Sequence, residues 1–310
     1  MSRTEASSRQ GPRISGVFPP ITTPFRHGEL DLNAARQNAR RWMTTRLSGL
    51  VVLGTNGESA YVDEGEAEAF VATVRGEVPR EKLLIAGTGR DSTRATIAAT
   101  ARAANAGADA VLVRAPAFFK SQMTTAAFVR HYTAVSEASP VPVLLYNFPA
   151  AFGVDIAVAA VAALSAHPNI VGIKESGGDV AKIADDVSCT AAARPDFSVL
   201  CGSAPILHPS VLSGASGGIL AVACVVPDLC VEVYELARAG RHDEARALQR
   251  RLTPLARSVT SAYGVPGLKA ALDLAGFTGG EPRAPLAPAP PDAVATIRAQ
   301  LQELGVVAAA

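Results

Sequence analysis

The sequence predicts an α/β fold, a (β/α)8 TIM barrel followed by a C-terminal helical region. Three observations predict it. Eight short apolar runs recur along the chain, at Gly16–Thr22, Gly49–Leu53, Leu83–Ala86, Ala110–Val113, Val143–Tyr146, Ile170–Lys174, Ser198–Cys201 and Gly218–Val222. Successive runs start roughly 20 to 35 residues apart, the length of one strand plus one helix, and such alternation favours a parallel sheet with helical crossovers. No glycine fingerprint of the kind a doubly wound sheet carries follows the first run, so the eight units are expected to close on themselves.

Taken in order, residues 1–13 are polar, contain serine and arginine, and lack the apolar centre of a secretory signal; they read as a flexible tail. The segment is short and carries Glu5, which gives little support to an organellar transit peptide. Between the apolar runs stand helix starts. Asp63 with Glu66 three residues on has the form of a capping box, and Ser92, Thr124, Asp155 and Asp179 suit N-caps. Beyond about residue 240 the strand pattern stops. Helical periods cover residues 241–262, 265–275 and 291–304, with a Pro/Ala connector at 281–290. The expected organisation is a tail over 1–13, a barrel carrying the active site over 14–240 and a helical region over 241–310.

A chain of 310 residues can bury a large core, and 48% hydrophobic with 18% charged residues is a globular composition. The net charge of +1, with no basic run and few aromatics, argues against nucleic acid and against an anionic membrane surface as partners. No apolar stretch approaches the length of a membrane span. Cys189, Cys201, Cys224 and Cys230 form no CxxC pair, and neither they nor the scattered histidines show zinc spacing. A reduced, cytoplasmic protein with structural thiols and no metal is expected.

In a barrel, chemistry sits at the C-terminal ends of the strands. The chain has five lysines, Lys82, Lys120, Lys174, Lys182 and Lys269, and Lys174 alone closes an apolar run. Burial disfavours the charged form of an amine and leaves a nucleophile suited to Schiff-base chemistry on a carbonyl. The competing reading is a strand end with a packed stem and a wet head. Tyr146 closes the fifth run, where alternation puts it on one face with Leu144 and sets Val143 and Leu145 on the other. Gly172 shares a face with Lys174 and is expected to leave room beneath it. After the second run comes GTNGES, Gly54–Ser59, which offers backbone N–H groups and the Thr55 hydroxyl to a carboxylate; the same residues suit a plain strand-to-helix turn. The stretch 214–218 has the form of a nucleophile elbow but precedes a strand, so a turn is expected. His131 and His208 are within the candidates to approach the site.

Taken together, GVFPPITTPF (16–25), GTNGES (54–59), YNFP (146–149) and GIKESGG (172–178) resemble the dihydrodipicolinate synthase / N-acetylneuraminate lyase family of Schiff-base aldolases. The likeness runs from about Ile14 to Leu304. HPNIVGIKESGGDV (167–180), YGVPGLK (263–269) and GFTGGEPRAPL (276–286) are similar to its 4-hydroxy-2-oxoglutarate aldolase branch. The resemblance implies a homotetramer, no cofactor, Lys174 as the imine-forming lysine and Tyr146 as the proton-transferring phenol. It also implies that Thr55, Asn56 and Gly57 bind the substrate carboxylate, with Ser176 beside the lysine.

Two positions depart from the family pattern. Phe118 stands where a tyrosine from a neighbouring subunit is usual, so a hydroxyl for proton relay is missing. Ala151 stands where dihydrodipicolinate synthases carry an arginine, and Phe152 adds apolar surface, which together suggest a less polar aldehyde acceptor. Three readings follow. The first is a pyruvate-type aldolase or lyase that joins a 2-oxo acid and an aldehyde, or cleaves the 4-hydroxy-2-oxo acid they form. The second is a 2-oxo-3-deoxy sugar acid dehydratase or a dihydrodipicolinate synthase. The third, of another class, is a catalytically impaired barrel kept as a binding or scaffold protein.

Overall fold

The computed structural model describes residues 13–308; the expected tail falls, but for Arg13, outside the described residues. Eight parallel strands form the barrel: β1 (Gly16–Phe18), β2 (Gly49–Val52), β3 (Leu83–Gly87), β4 (Ala110–Arg114), β5 (Val143–Asn147), β6 (Ile170–Glu175), β7 (Ser198–Cys201) and β8 (Gly217–Ile219). From β2 to β8 each strand pairs with the next, and β8 pairs back onto β1. The seam between β1 and β2 is closed by backbone hydrogen bonds from Ser48 N to Val17 O, Val51 N to Pro19 O and Ile21 N to Val51 O. The fold is the expected (β/α)8 barrel with helices around it and further helices at the C-terminus.

Alternation divides the core in two. Phe18, Val51, Ile85, Leu112, Leu144 and Leu200 fill the barrel interior, while Val143, Leu145 and Ile173 face outward into the layer between sheet and helices. Tyr146 belongs to the interior set, as the period-two reading requires. Of the expected caps, Asp63 and Glu66 form a reciprocal capping box, and Ser92, Thr124 and Asp179 each accept a backbone N–H of the first turn.

The structure corrects three details. The first strand stops at Phe18 because Pro19 and Pro20 have no N–H to give to the ladder. Asp155 caps no helix; it accepts a hydrogen bond from Asn147 Nδ2 at 2.6 Å, and the helix Val158–Ser165 begins three residues later without a side-chain cap. Gly172 leaves no room beneath Lys174. A Cβ there would stand 2.2 Å from Ser198 O and 2.9 Å from Leu144 Cδ2, so the glycine permits close strand packing where the β5–β6 register shifts.

The C-terminal helices His242–Arg257, Gly264–Leu274 and Pro291–Glu303 pack beside the barrel. From the second of these, Lys269 is inserted with 1% exposure. Its Nζ lies 2.6 Å from Glu58 Oε1 and donates to Thr23 O and Glu281 O, so a buried cation fixes the turn that follows β2. A cavity of about 470 Å³ lies alongside, between Phe25 and the Pro266–Asp273 face, with none of Thr55, Tyr146 or Lys174 in its lining. No described helix is long and apolar enough to cross a membrane.

Candidate active site

Pairing between β5 and β6 sets Tyr146 opposite Lys174 and Asn147 opposite Glu175. Lys174 is 5% exposed, and its Nζ sits 4.2 Å from the centre of the Tyr146 ring. Lys182 and Lys269 are held by carboxylates and Lys82 by two carbonyls. Among the described residues Lys174 has neither an ion pair nor a hydrogen bond, so its amine faces the Tyr146 ring with no polar partner. The Tyr146 hydroxyl reaches across the barrel to Thr55 Oγ1 at 3.1 Å. Three residues expected from three separate strands therefore meet at one end of the barrel.

The turn carrying Thr55 is tightly built. Gly57 donates to Gly54 O and its carbonyl accepts from the buried Thr23 hydroxyl at 2.7 Å; a Cβ on Gly57 would meet Leu53 N at 3.0 Å. Glu58 takes a left-handed backbone, φ 51°, a conformation that costs a non-glycine residue free energy and is held here by Lys269 and by Arg283 N. Thr55 is exposed and Asn56 half-buried at the mouth. The Thr55 hydroxyl is taken up by Tyr146, whereas the Asn56 side chain has no hydrogen-bond partner among the described residues.

Ser176 follows Lys174 by two residues. Its N–H donates to Asn147 O, and its Oγ is buried without a hydrogen-bond partner. A Cβ on Gly202 would stand 1.9 Å from that oxygen, so the serine occupies space that only glycine leaves.

Sequence reasoning missed the polar network directly behind the pair. Glu175 is fully buried. It accepts from Asn147 Nδ2 at 2.8 Å and from Gly177 N at 2.6 Å, with Lys182 Nζ at 3.7 Å. Burial pushes the Glu175 carboxyl up from the usual range, against the lowering effect of those bonds. Asn147 also accepts from Ile156 N at 3.0 Å, so the ends of β5 and β6 are tied together immediately beyond Tyr146 and Lys174. The available signal was a charged residue at an outward position of an otherwise apolar strand.

Aromatic rings flank Tyr146. Phe148 is stacked on it at 6.3 Å and Phe152 meets it edge-on at 5.4 Å. Ala151 is exposed on the short helix Pro149–Phe152. Phe118 is not brought to Lys174 within this chain; it is 78% exposed and packs edge-on against Phe119. Arg114, also unanticipated, lines a cavity of about 20 Å³ with Thr55, Ser59, Leu112 and Tyr146. The two histidines take other places. His131 bonds Thr93 and packs on Tyr132, and burial pushes its pKa down to about 4. His208 lies against His242 and Gln249.

A parallel barrel that gathers a buried lysine, a tyrosine and a glycine-rich turn at its C-terminal face has the architecture of a barrel lyase. The dihydrodipicolinate synthetase family profile matches residues 13–304, and the chain belongs to that family. Among curated relatives, a probable mitochondrial 4-hydroxy-2-oxoglutarate aldolase of Emericella nidulans is 35% identical over 291 residues, covering 92% of this chain and 93% of the relative. Among solved structures, the dihydrodipicolinate synthase of Thermotoga maritima superposes with a TM-score of 0.91 at 34% identity, covering 95% of this chain and 100% of that one. A prophage protein of the same family from E. coli K12, solved in complex with pyruvate, superposes with a TM-score of 0.88 at 28% identity, over 94% and 99% of the two chains.

Proposed function

We propose that the protein is a class I aldolase that cleaves or forms a 4-hydroxy-2-oxo acid through an imine on Lys174. The observation that carries this reading is the unpaired Lys174 amine 4.2 Å from the Tyr146 ring, whose hydroxyl is bonded to Thr55. In the cleavage direction the 1-carboxylate is received by Thr55, Asn56 and the Gly57 region. Lys174 Nζ adds to the C2 ketone, and loss of water from the carbinolamine leaves a protonated imine. Tyr146 takes the proton of the 4-hydroxyl as the C3–C4 bond breaks. The electron pair of that bond enters the imine as an enamine and the aldehyde departs. Protonation at C3 and hydrolysis return pyruvate and the free lysine.

Phe118 supplies no hydroxyl, so water carries the relay that a tyrosine would serve. The exposed Phe118 and Phe119 suit burial against a second copy of the chain, in keeping with the homotetramer that the family resemblance implies. A barrel retained only as a scaffold has no use for an unpaired lysine held over a tyrosine ring. Incubation with 4-hydroxy-2-oxoglutarate, with pyruvate release followed by lactate dehydrogenase, tests the reading. Pyruvate formation supports it, and its absence at enzyme concentrations near those of substrate overturns it.

A further inference from the structure

We infer that Arg114 is the residue that receives a carboxylate on the acceptor half of the substrate and so sets the preference for an anionic over an alkyl aldehyde. This role presupposes the aldolase reading above. In the parallel register Arg114 is the partner of Tyr146. Leu112 and Leu144, one step earlier on the same strands, both point into the barrel, so Arg114 and Tyr146 rise from the interior face to the mouth together.

The arginine is built in. Gly89 leaves the space its stem fills, since a Cβ there would stand 2.6 Å from Arg114 Cγ. Asp91 takes one edge of the guanidinium at 2.9 Å from Nη2 and 3.4 Å from Nη1, and Nη1 also donates to Ala115 O. The guanidinium lies 5.7 Å from the centre of the Phe152 ring, which itself touches Tyr146. Nε and the second Nη2 hydrogen have no partner among the described residues, which leaves one donor edge for a carboxylate. Arg114 is also the cation in the lining shared with Thr55 and Tyr146. Ala151 lacks a charge, so Arg114 replaces from β4 what the helix after β5 does not provide, and the apolar acceptor suggested by Ala151 and Phe152 gives way to an anionic one.

The alternative is that Arg114 only positions Asp91, which accepts from Ala117 N and Phe118 N and so shapes the loop after β4. Aldol synthesis from pyruvate with glyoxylate and with acetaldehyde separates the two, using wild type, Arg114→Met, Arg114→Lys and Asp91→Asn. The expected result for Arg114→Met is a loss of about 10- to 100-fold in kcat/KM for glyoxylate, the size of one charge-assisted contact. Its loss on glyoxylate should exceed its loss on acetaldehyde by that factor, the pyruvate adduct should still form after borohydride reduction, and Arg114→Lys should recover part of the glyoxylate activity. Equal losses on both aldehydes in Arg114→Met, no loss in Arg114→Met, or a glyoxylate loss in Asp91→Asn larger than that in Arg114→Met would overturn the proposal. A wild-type protein that forms no pyruvate adduct would instead bring down the aldolase reading, and this role with it.

Discussion

Lys174 and Tyr146 are register partners on adjacent parallel strands, and the amine of one lies 4.2 Å from the ring centre of the other. Tyr146→Phe keeps the ring under the amine and deletes only the hydroxyl bonded to Thr55. The fold and the pyruvate adduct should persist, while turnover falls by about 10²- to 10⁴-fold, the range for loss of a general acid–base group. Steady-state kinetics beside near-ultraviolet circular dichroism check this, and undiminished turnover would remove the phenol from the mechanism.

The buried Lys269–Glu58 pair connects the C-terminal helices to the Thr55 turn. Lys269→Met should leave the Glu58 carboxylate uncompensated and cost about 3 to 5 kcal/mol in urea unfolding. Pairing it with Glu58→Gln should recover part of that loss. Because Glu58 holds a left-handed backbone next to Gly57, the single variant should also raise KM for the 2-oxo acid. Stability equal to wild type would show that the pair does not hold the turn.

Two buried groups set the pH dependence of stability in opposite directions. Asp186 has both carboxylate oxygens without partners, and burial pushes its pKa up to about 7. The unfolded chain gives up that proton first, so stability falls as pH rises from about 4 towards 7 and is level above. His131, pushed down to about 4, binds its proton first in the unfolded chain, so stability also falls as pH drops from about 6.5 towards 4. Asp186→Asn should therefore be more stable than wild type at pH 8 and close to it at pH 4. Thermal melts across that range test the sign, and a variant destabilised equally at both ends would contradict it.

The barrel was legible in the sequence because its strands are buried on both faces and so read as apolar runs punctuated by turns. Lys174 and Tyr146 were legible for the same reason: a lysine and a tyrosine ending such runs stand out against their neighbours. What lay outside a local reading depends on residues distant in the chain. Asp155 has the local form of a cap, and the competing partner that claims it, Asn147, sits eight residues back at a strand end. Glu58 and Lys269 meet only because the C-terminal helices fold back on the barrel. Gly172 reads locally as open space beneath Lys174, yet the contact that requires glycine comes from the next strand, at Ser198 O. Arg114 resembled any charged residue at a strand end until its register with Tyr146 was known.

The imine on Lys174 is tested most directly by incubating the protein with pyruvate, reducing with borohydride and locating the adduct by peptide mass spectrometry. The predicted result is one reduced pyruvate adduct per chain, on the peptide carrying Lys174, and none in Lys174→Ala. A wild-type protein that gains no mass, or an adduct that persists undiminished in Lys174→Ala, would contradict the assignment.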